Sequence, residues 1–509
     1  MPRRLAAVSS VLAVLLVATL VLLLQGEDEG PALPGPTGEG APAGLAPFYA
    51  QEPTWTTCGR YRCTRIRVPL DYDRPAGPTM RLAVRMLPAR DGSTDRLLLV
   101  NPGGPGGSAV EYVPIFAGLM TSAMRERLSV VGVDPRGVGT SQELQCLDAD
   151  ALDRYLDLDA TPDDPGEEKA WTAAPRRLAE GCVKESGDLA AHMSTQETAR
   201  DLDVVRAALG QRRLDYYGAS YGTQLGATFT TLFPRRVGRM VLDGGVDVGQ
   251  DRRALLSDQA AALEKAWGAF VRWCGRQEDC ALPAGRAAAT AMLLDVVEAA
   301  DERPLPSDGS IREAREVTVL RATAFALSTR RAWPALLVAI GRAQYDDGTA
   351  FRQLDDAYVL RSTEGRYDNN AVVAGVAVRC LDDPQETSAD EARDDLGPRL
   401  VSVSPLFGRY LAWSASLCNG WRPRGKPQEG VERLDAALPV LVLGTTGDPV
   451  TPYRWSTRLA ADLGSAVLVT REGDGHTAYG LSRCVDRSVA TYLLRGRAPR
   501  AAVRCERGR

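Results

Sequence analysis

Histidine occurs only twice in the 509 residues, at His192 and His476, and no Cys-x-x-Cys pair occurs at all. Zinc sites are built from Cys and His clustered at short spacings. Neither is present, so no metal is expected. Charge of one sign is missing too: 61 Lys and Arg stand against 65 Asp and Glu, a net charge of −4. Without a basic excess, nucleic acid is not an expected partner. No cysteine precedes Cys58, which excludes a lipid-modified cysteine near the N-terminus. A phosphate loop ends in Lys followed by Ser or Thr. The chain's richest glycine run, Asn101-Pro102-Gly103-Gly104-Pro105-Gly106-Gly107-Ser108, lacks that ending. No internal repeat is visible.

What is present begins with an uncharged apolar run from Leu5 to Leu24, preceded by Arg3 and Arg4. Twenty helical residues span a hydrocarbon core of about 30 Å. No small-x-small site follows directly, and Ala41-Pro42-Ala43 lies far downstream. Residues 1–25 are therefore expected to be an uncleaved signal anchor or a cleaved signal peptide. Either places the bulk of the chain outside, secreted or anchored to the outer face of the membrane. Residues 26–53, rich in Pro, Gly and Ala, read as a flexible tether.

The ten cysteines fit an exported protein. They fall in sequence-local couples: Cys58 with Cys63, Cys146 with Cys182, Cys274 with Cys280, Cys380 with Cys418, and Cys484 with Cys505. Spacing alone does not fix connectivity.

Hydrophobic patterning predicts the layers. The segments 64–70 and 81–87 alternate like an antiparallel pair exposed on one face. The segment 96–100 reads as a continuous apolar run, as in a strand buried on both faces, and 128–134, 213–217 and 239–245 read as further buried strands. Helical stretches separate them. The expected fold class is α/β, a mostly parallel, doubly wound sheet. From 251 to 422 the pattern is nearly all helical and reads as an inserted cap. Strand patterns resume at 438–444 and 466–470. The expected divisions are a core at 54–250, the cap at 251–422, and the rest of the core at 423–509.

Function is carried by Gly218-Ala219-Ser220-Tyr221-Gly222, a Gly-x-Ser-x-Gly run between a predicted strand and a predicted helix. A sharp strand-to-helix turn exposes a serine hydroxyl at the tip of a sheet. The run is short enough to arise by chance, so its context decides. Asp448 and His476 each follow a later predicted strand, giving the chain order serine, acid, histidine of an α/β-hydrolase. His192 precedes the serine and reads as structural or exposed. The expected triad is Ser220, His476 as base, and Asp448 orienting the imidazole. The expected oxyanion donors are the backbone N–H of Tyr221 and one from Gly103 or Gly104. Acyl transfer of this kind needs no cofactor.

These motifs, together with Asp134-Pro135-Arg136-Gly137-Val138-Gly139-Thr140-Ser141, Cys418-Asn419-Gly420-Trp421, Gly447-Asp448-Pro449-Val450-Thr451-Pro452, and the Cys58/Cys63 couple followed by Val68-Pro69-Leu70-Asp71-Tyr72, carry a resemblance. The chain resembles the secreted tripeptidyl-aminopeptidase and prolyl-aminopeptidase-like serine peptidases of actinobacteria, over roughly residues 55 to 505. The long apolar segment without a nearby cleavage site departs from the secreted members. The resemblance implies cleavage at the free N-terminus of a peptide substrate. A cap carboxylate should then pair the substrate ammonium, with Asp382 or Glu264 as the candidates. Two other readings remain open: a carboxylester hydrolase using the same triad, and a non-catalytic surface-binding protein.

Overall fold

The computed structural model describes residues 35–506 apart from 39, 95, 309–311, 424–427, 429 and 435–437. The apolar N-terminal segment lies outside the described residues. Among the described residues, no helix is long and apolar enough to cross a membrane.

Ten strands form one sheet: β1 Thr56–Cys58, β2 Tyr61–Pro69, β3 Thr79–Leu87, β4 Leu97–Asn101, β5 Ser129–Val133, β6 Leu214–Ala219, β7 Val237–Asp243, β8 Val440–Gly447, β9 Ala466–Asp474 and β10 Val503–Cys505. Their spatial order is β1-β2-β3-β5-β4-β6-β7-β8-β9-β10. The pairs β1/β2, β2/β3 and β3/β5 are antiparallel, and every later pair is parallel.

The side-chain period of two explains why the central strands read as unbroken apolar runs. Leu97, Leu99, Tyr216, Met240, Leu242, Val440 and Val442 enter one core. Leu98, Val100, Tyr217, Val241, Leu441 and Leu443 enter the core on the opposite face. Strand β2 has only one such face, with Ile66 and Val68 buried and Arg65 and Arg67 exposed.

Because β4 lies between β5 and β6, the loop after β4 emerges beside the end of β6. The register pairs Asn101 with Gly218. Ligands of open α/β sheets bind at the carboxyl ends of strands at such a reversal of order.

Between β7 and β8 the described residues are mostly helical. Helices Arg252–Cys274, Arg286–Glu302, Glu316–Leu327, Trp333–Ala343 and Thr349–Val359 share a hydrophobic core of their own. The helix Ala371–Asp382 differs: Val373, Ala374, Ala377, Val378 and Leu381 pack into the core of the sheet. All five cysteine couples form disulfides as paired in the sequence. The strands β1 and β10 were not anticipated. Each is three residues long and sits at an edge, too short to display a period.

Candidate active site

Ser220 stands at the turn from β6 into the helix Tyr221–Leu232. Its backbone has φ 56° and ψ −124°, a left-handed conformation that a side chain rarely adopts. The turn is held from several directions. The Ser220 N–H donates to Asp243 O at 2.8 Å, and its carbonyl accepts from Thr223 N at 2.8 Å and Thr223 Oγ1 at 2.6 Å. A Cβ on Gly218 would stand 2.2 Å from Gly222 O, so the turn closes only with glycine there.

Asp448 and His476 lie at the same edge, past the ends of β8 and β9. His476 Nδ1 lies 3.0 Å and 2.9 Å from the Asp448 carboxylate oxygens. That contact places the ring proton on Nδ1 and leaves Nε2 as the acceptor. Asp448 is almost fully buried, at 2% exposure. It also accepts from Val450 N, Thr451 N, Thr451 Oγ1 and Thr477 N, at 2.9 to 3.1 Å. A Cβ on Gly244, the residue after Asp243, would stand 3.3 Å from His476 Cε1. The three candidate residues thus each follow a strand end on the same side of the sheet. Burial pulls the His476 pKa down, but the charge and hydrogen bond of Asp448, with Asp243 behind them, hold it above its ordinary value.

The cap reaches this edge. His476 N–H donates to Ser328 O at 2.7 Å. Lys265 Nζ donates to Thr446 O at 2.6 Å and Gln259 Nε2 to Val450 O at 3.2 Å, bracketing the Asp448 loop.

The expected oxyanion donors divide. A Cβ on Gly103 would stand 2.4 Å from Ala219 O, so the glycine loop lies directly on the elbow. Yet the Gly103 N–H already donates to Asn101 Oδ1 at 2.9 Å. Gly103 is therefore corrected from donor to spacer. Gly104, at φ 116°, and Tyr221, at the start of its helix, keep N–H groups without a partner among the described residues. A helix start adds its own positive end to such a site.

The two acids expected to pair an ammonium are both engaged with other groups. Asp382 is 7% exposed and accepts from Thr195 N at 2.8 Å, Thr195 Oγ1 at 2.5 Å and Gln224 Nε2 at 3.2 Å. It caps the helix Thr195–Ala208, whose first N–H groups have no intrahelical acceptor. Burial pushes its carboxyl up to about 7, against the Thr195 hydrogen bonds. Glu264 accepts from Ser404 Oγ at 3.1 Å and lies 3.8 Å from Arg286. Neither lines the cavity described below. His192 is structural, bonded to Glu197 Oε1 at 2.8 Å.

Sequence reading passed over Asp243. Its buried carboxylate accepts from Tyr217 Oη, Ala478 N and Tyr479 N at 2.8 to 2.9 Å. It ties the nucleophile strand to the loop that carries His476. The Arg136 loop proves to be a support. Arg136 is fully buried and bonds Asp201 through two nitrogens, at 2.8 and 2.7 Å. Asp134, in the same loop, accepts from Ser108 Oγ at 2.7 Å and Thr140 N at 3.0 Å, joining it to the glycine loop.

Beside the glycine loop opens a cavity of about 370 Å³, walled by Pro102 to Pro105, by residues between Tyr155 and Pro175 that precede β6, and by residues of the helical segment between β7 and β8. No carboxylate is among its described lining residues. A serine with a paired histidine and two free N–H groups is suited to acyl transfer.

Residues 404–505 match the family described as TAP-like protein. The chain is 31% identical over 477 residues to serine protease Hip1 of Mycobacterium tuberculosis, covering 92% of this chain and 91% of that protein. It is 32% identical over 465 residues to the tripeptidyl aminopeptidase of Streptomyces lividans, covering 89% and 84%. It is 33% identical over 500 residues to carboxylesterase B of M. tuberculosis, covering 93% and 94%.

Proposed function

This chain belongs to the actinobacterial TAP-like serine peptidases of the α/β-hydrolase fold, and on that premise we propose that it releases short peptides from free N-termini through an acyl-enzyme on Ser220. The observation that carries the reading is the Asp448–His476 pair held at the sheet edge beside the strained Ser220. In this mechanism His476 Nε2 takes the Ser220 hydroxyl proton as Oγ attacks the scissile carbonyl. The carbonyl oxygen becomes an oxyanion facing the N–H groups of Gly104 and Tyr221. Imidazolium then protonates the leaving amine, and the C–N bond breaks. Water, deprotonated by the same imidazole, hydrolyses the ester. Asp448 keeps the imidazole in the required tautomer and stabilises its charged form.

Peptide substrates are supported by the relatives named serine protease and tripeptidyl aminopeptidase. Export is supported by the five disulfides, which persist in oxidising compartments. Tethering to the outer face of the membrane would rest on residues 1–25 staying uncleaved. A carboxylester hydrolase is the second reading. It is favoured by the absence of an ammonium-pairing acid among the described lining residues of the cavity.

Mass spectrometry of products from mixed peptides, free and N-acetylated, tests the proposal. Short N-terminal fragments should come from the free peptides only. Turnover of short acyl esters with every peptide left intact would replace the peptidase reading by the esterase one.

A further inference from the structure

The cavity beside the glycine loop is mostly apolar, lined by residues such as Leu158, Trp171, Val317, Val359, Val372 and Leu417. Two arginines also line it, and they differ. Arg321 is neutralised by Asp355, at 2.5 Å and 2.8 Å, and donates to Leu156 O at 3.0 Å. The Arg379 guanidinium has no hydrogen bond or ion pair among the described residues, and the residue is exposed and lines the cavity.

A second unmet donor lies on the same walls. The Tyr155 hydroxyl is buried without a hydrogen-bond partner. Buried polar groups are nearly always paired, and an orphan in a cavity wall is available to a group that enters the cavity. Burial pushes Tyr155 up to about 12, with Arg379 close enough to oppose the shift. Tyr410, also on the wall, is pushed up to about 12 by burial and feels Arg379 in the same way. Both phenols therefore stay protonated at neutral pH and can only be offered as neutral donors or acceptors.

The position of Arg379 is fixed relative to the reaction. A Cβ on Gly375 would stand 2.6 Å from Pro105 O, so the helix Ala371–Asp382 is pressed onto the glycine loop. Arg379 lies one turn further along the same face, a rise of about 6 Å. The Cys380–Cys418 disulfide pins that end to the segment carrying Leu417, another wall residue.

We propose that this cavity binds the acyl side of the substrate and selects a chain that carries a carboxylate, received by Arg379 with Tyr155 and Tyr410. The proposal rests on the peptidase reading for its substrate class: a peptide with Asp or Glu among the residues before the cleaved bond. Guanidinium and phenol both donate to a carboxylate, and a carboxylate in a largely apolar cavity is tolerated only when so paired. An ammonium side chain there would face Arg379 as a like charge.

The test uses the full chain and two sets of substrates. In the first, tripeptidyl amides carry Glu or Gln in turn at each of the three acyl residues. In the second, 4-nitrophenyl esters of dicarboxylic acids are compared with neutral acyl esters of equal length. Fluorophosphonate labelling of Ser220 verifies that each variant is folded around the nucleophile. The expected result is a kcat/KM ratio of tenfold or more in favour of the charged member, about 1.4 kcal/mol. In Arg379→Gln the ratio should fall to near one, and in Arg379→Glu it should invert. The inference stands if either set shows a ratio that Arg379→Gln removes. It is overturned if neither set shows a ratio, or if Arg379→Gln leaves the ratio unchanged. Failure to cut any peptide would strike the peptidase reading alone, because the ester set still decides the role of Arg379.

Discussion

The sheet edge and the cavity wall meet across the Gly103–Pro105 loop, yet they treat polar groups in opposite ways. At the edge the two buried carboxylates, Asp448 and Asp243, are saturated. Asp448 accepts from three backbone N–H groups, a hydroxyl and the imidazole. Asp243 accepts from two N–H groups and a phenol. On the cavity wall the Arg379 guanidinium and the Tyr155 hydroxyl have no hydrogen-bond partner among the described residues. Saturated groups cannot reorient, which suits a reaction whose charge always develops at the same atoms. Unsaturated donors suit a ligand that comes and goes. The reaction and the choice of substrate are thus assigned to regions with different hydrogen-bond bookkeeping.

That contrast can be broken most severely at the edge. Ser220→Ala should lower kcat by up to about a million-fold, and Asp448→Asn by about ten-thousand-fold, with the fold unchanged by circular dichroism. Loss of fluorophosphonate labelling in Ser220→Ala provides the independent check. A Ser220→Ala protein that still turns over substrate would remove the edge from the chemistry altogether.

Asp243→Asn tests whether saturation itself matters. The side chain touches no reacting atom, so it is a positioning residue. Misplacement of the His476 loop should lower kcat by up to about 100-fold, with KM little changed. The pH profile separates this from general damage. His476 must be neutral to accept a proton, and its pKa is raised, so the acid limb of kcat/KM should lie above about 6.5. Asp243 contributes to that elevation, so Asp243→Asn should move the limb to lower pH.

The smallest effect is expected at Asp382, which does not line the cavity. Asp382→Ala removes its bonds to the start of the Thr195–Ala208 helix and should reduce stability by about 1–3 kcal/mol in denaturant titration. Discrimination between free and N-acetylated peptides should persist. The folded carboxyl titrates near 7, well above its unfolded value of about 4. Between those values the folded state holds a proton that the unfolded chain has released. Its contribution therefore falls as pH rises through that window. Asp382→Ala should flatten that dependence. Altered recognition of the substrate N-terminus with stability intact would restore Asp382 to the substrate site.

The sheet was legible because its central strands are buried on both faces, so continuous runs such as Leu97-Leu98-Leu99-Val100 announce them. The edge residues Ser220, Asp448 and His476 were legible because each sits in a short motif at a strand end. Asp243 was not, although Asp-Gly-Gly after an apolar strand resembles the other strand ends. Its partners Ala478 and Tyr479 are far away in sequence, and no local pattern reports them. The cap acids failed for a similar reason. The helix Ala371–Asp382 is buried over much of its circumference, so no amphipathic stripe tells which side faces the cavity. Asp382 lies three residues from Arg379, nearly a full turn on, and bonds Thr195 instead of facing the cavity. Tyr155 gave no signal at all, because an unmet hydroxyl exists only once the walls have closed around it.

The helix that runs from the glycine loop to Arg379 also limits how selectivity could drift in descendants of this chain. At Gly375 a side chain would collide with Pro105, so changes there would disturb the glycine loop and be eliminated. One turn away, the Arg379 guanidinium has no hydrogen bond or ion pair among the described residues. A lineage could therefore replace the far end of the helix and acquire a new diet while inheriting the reaction intact.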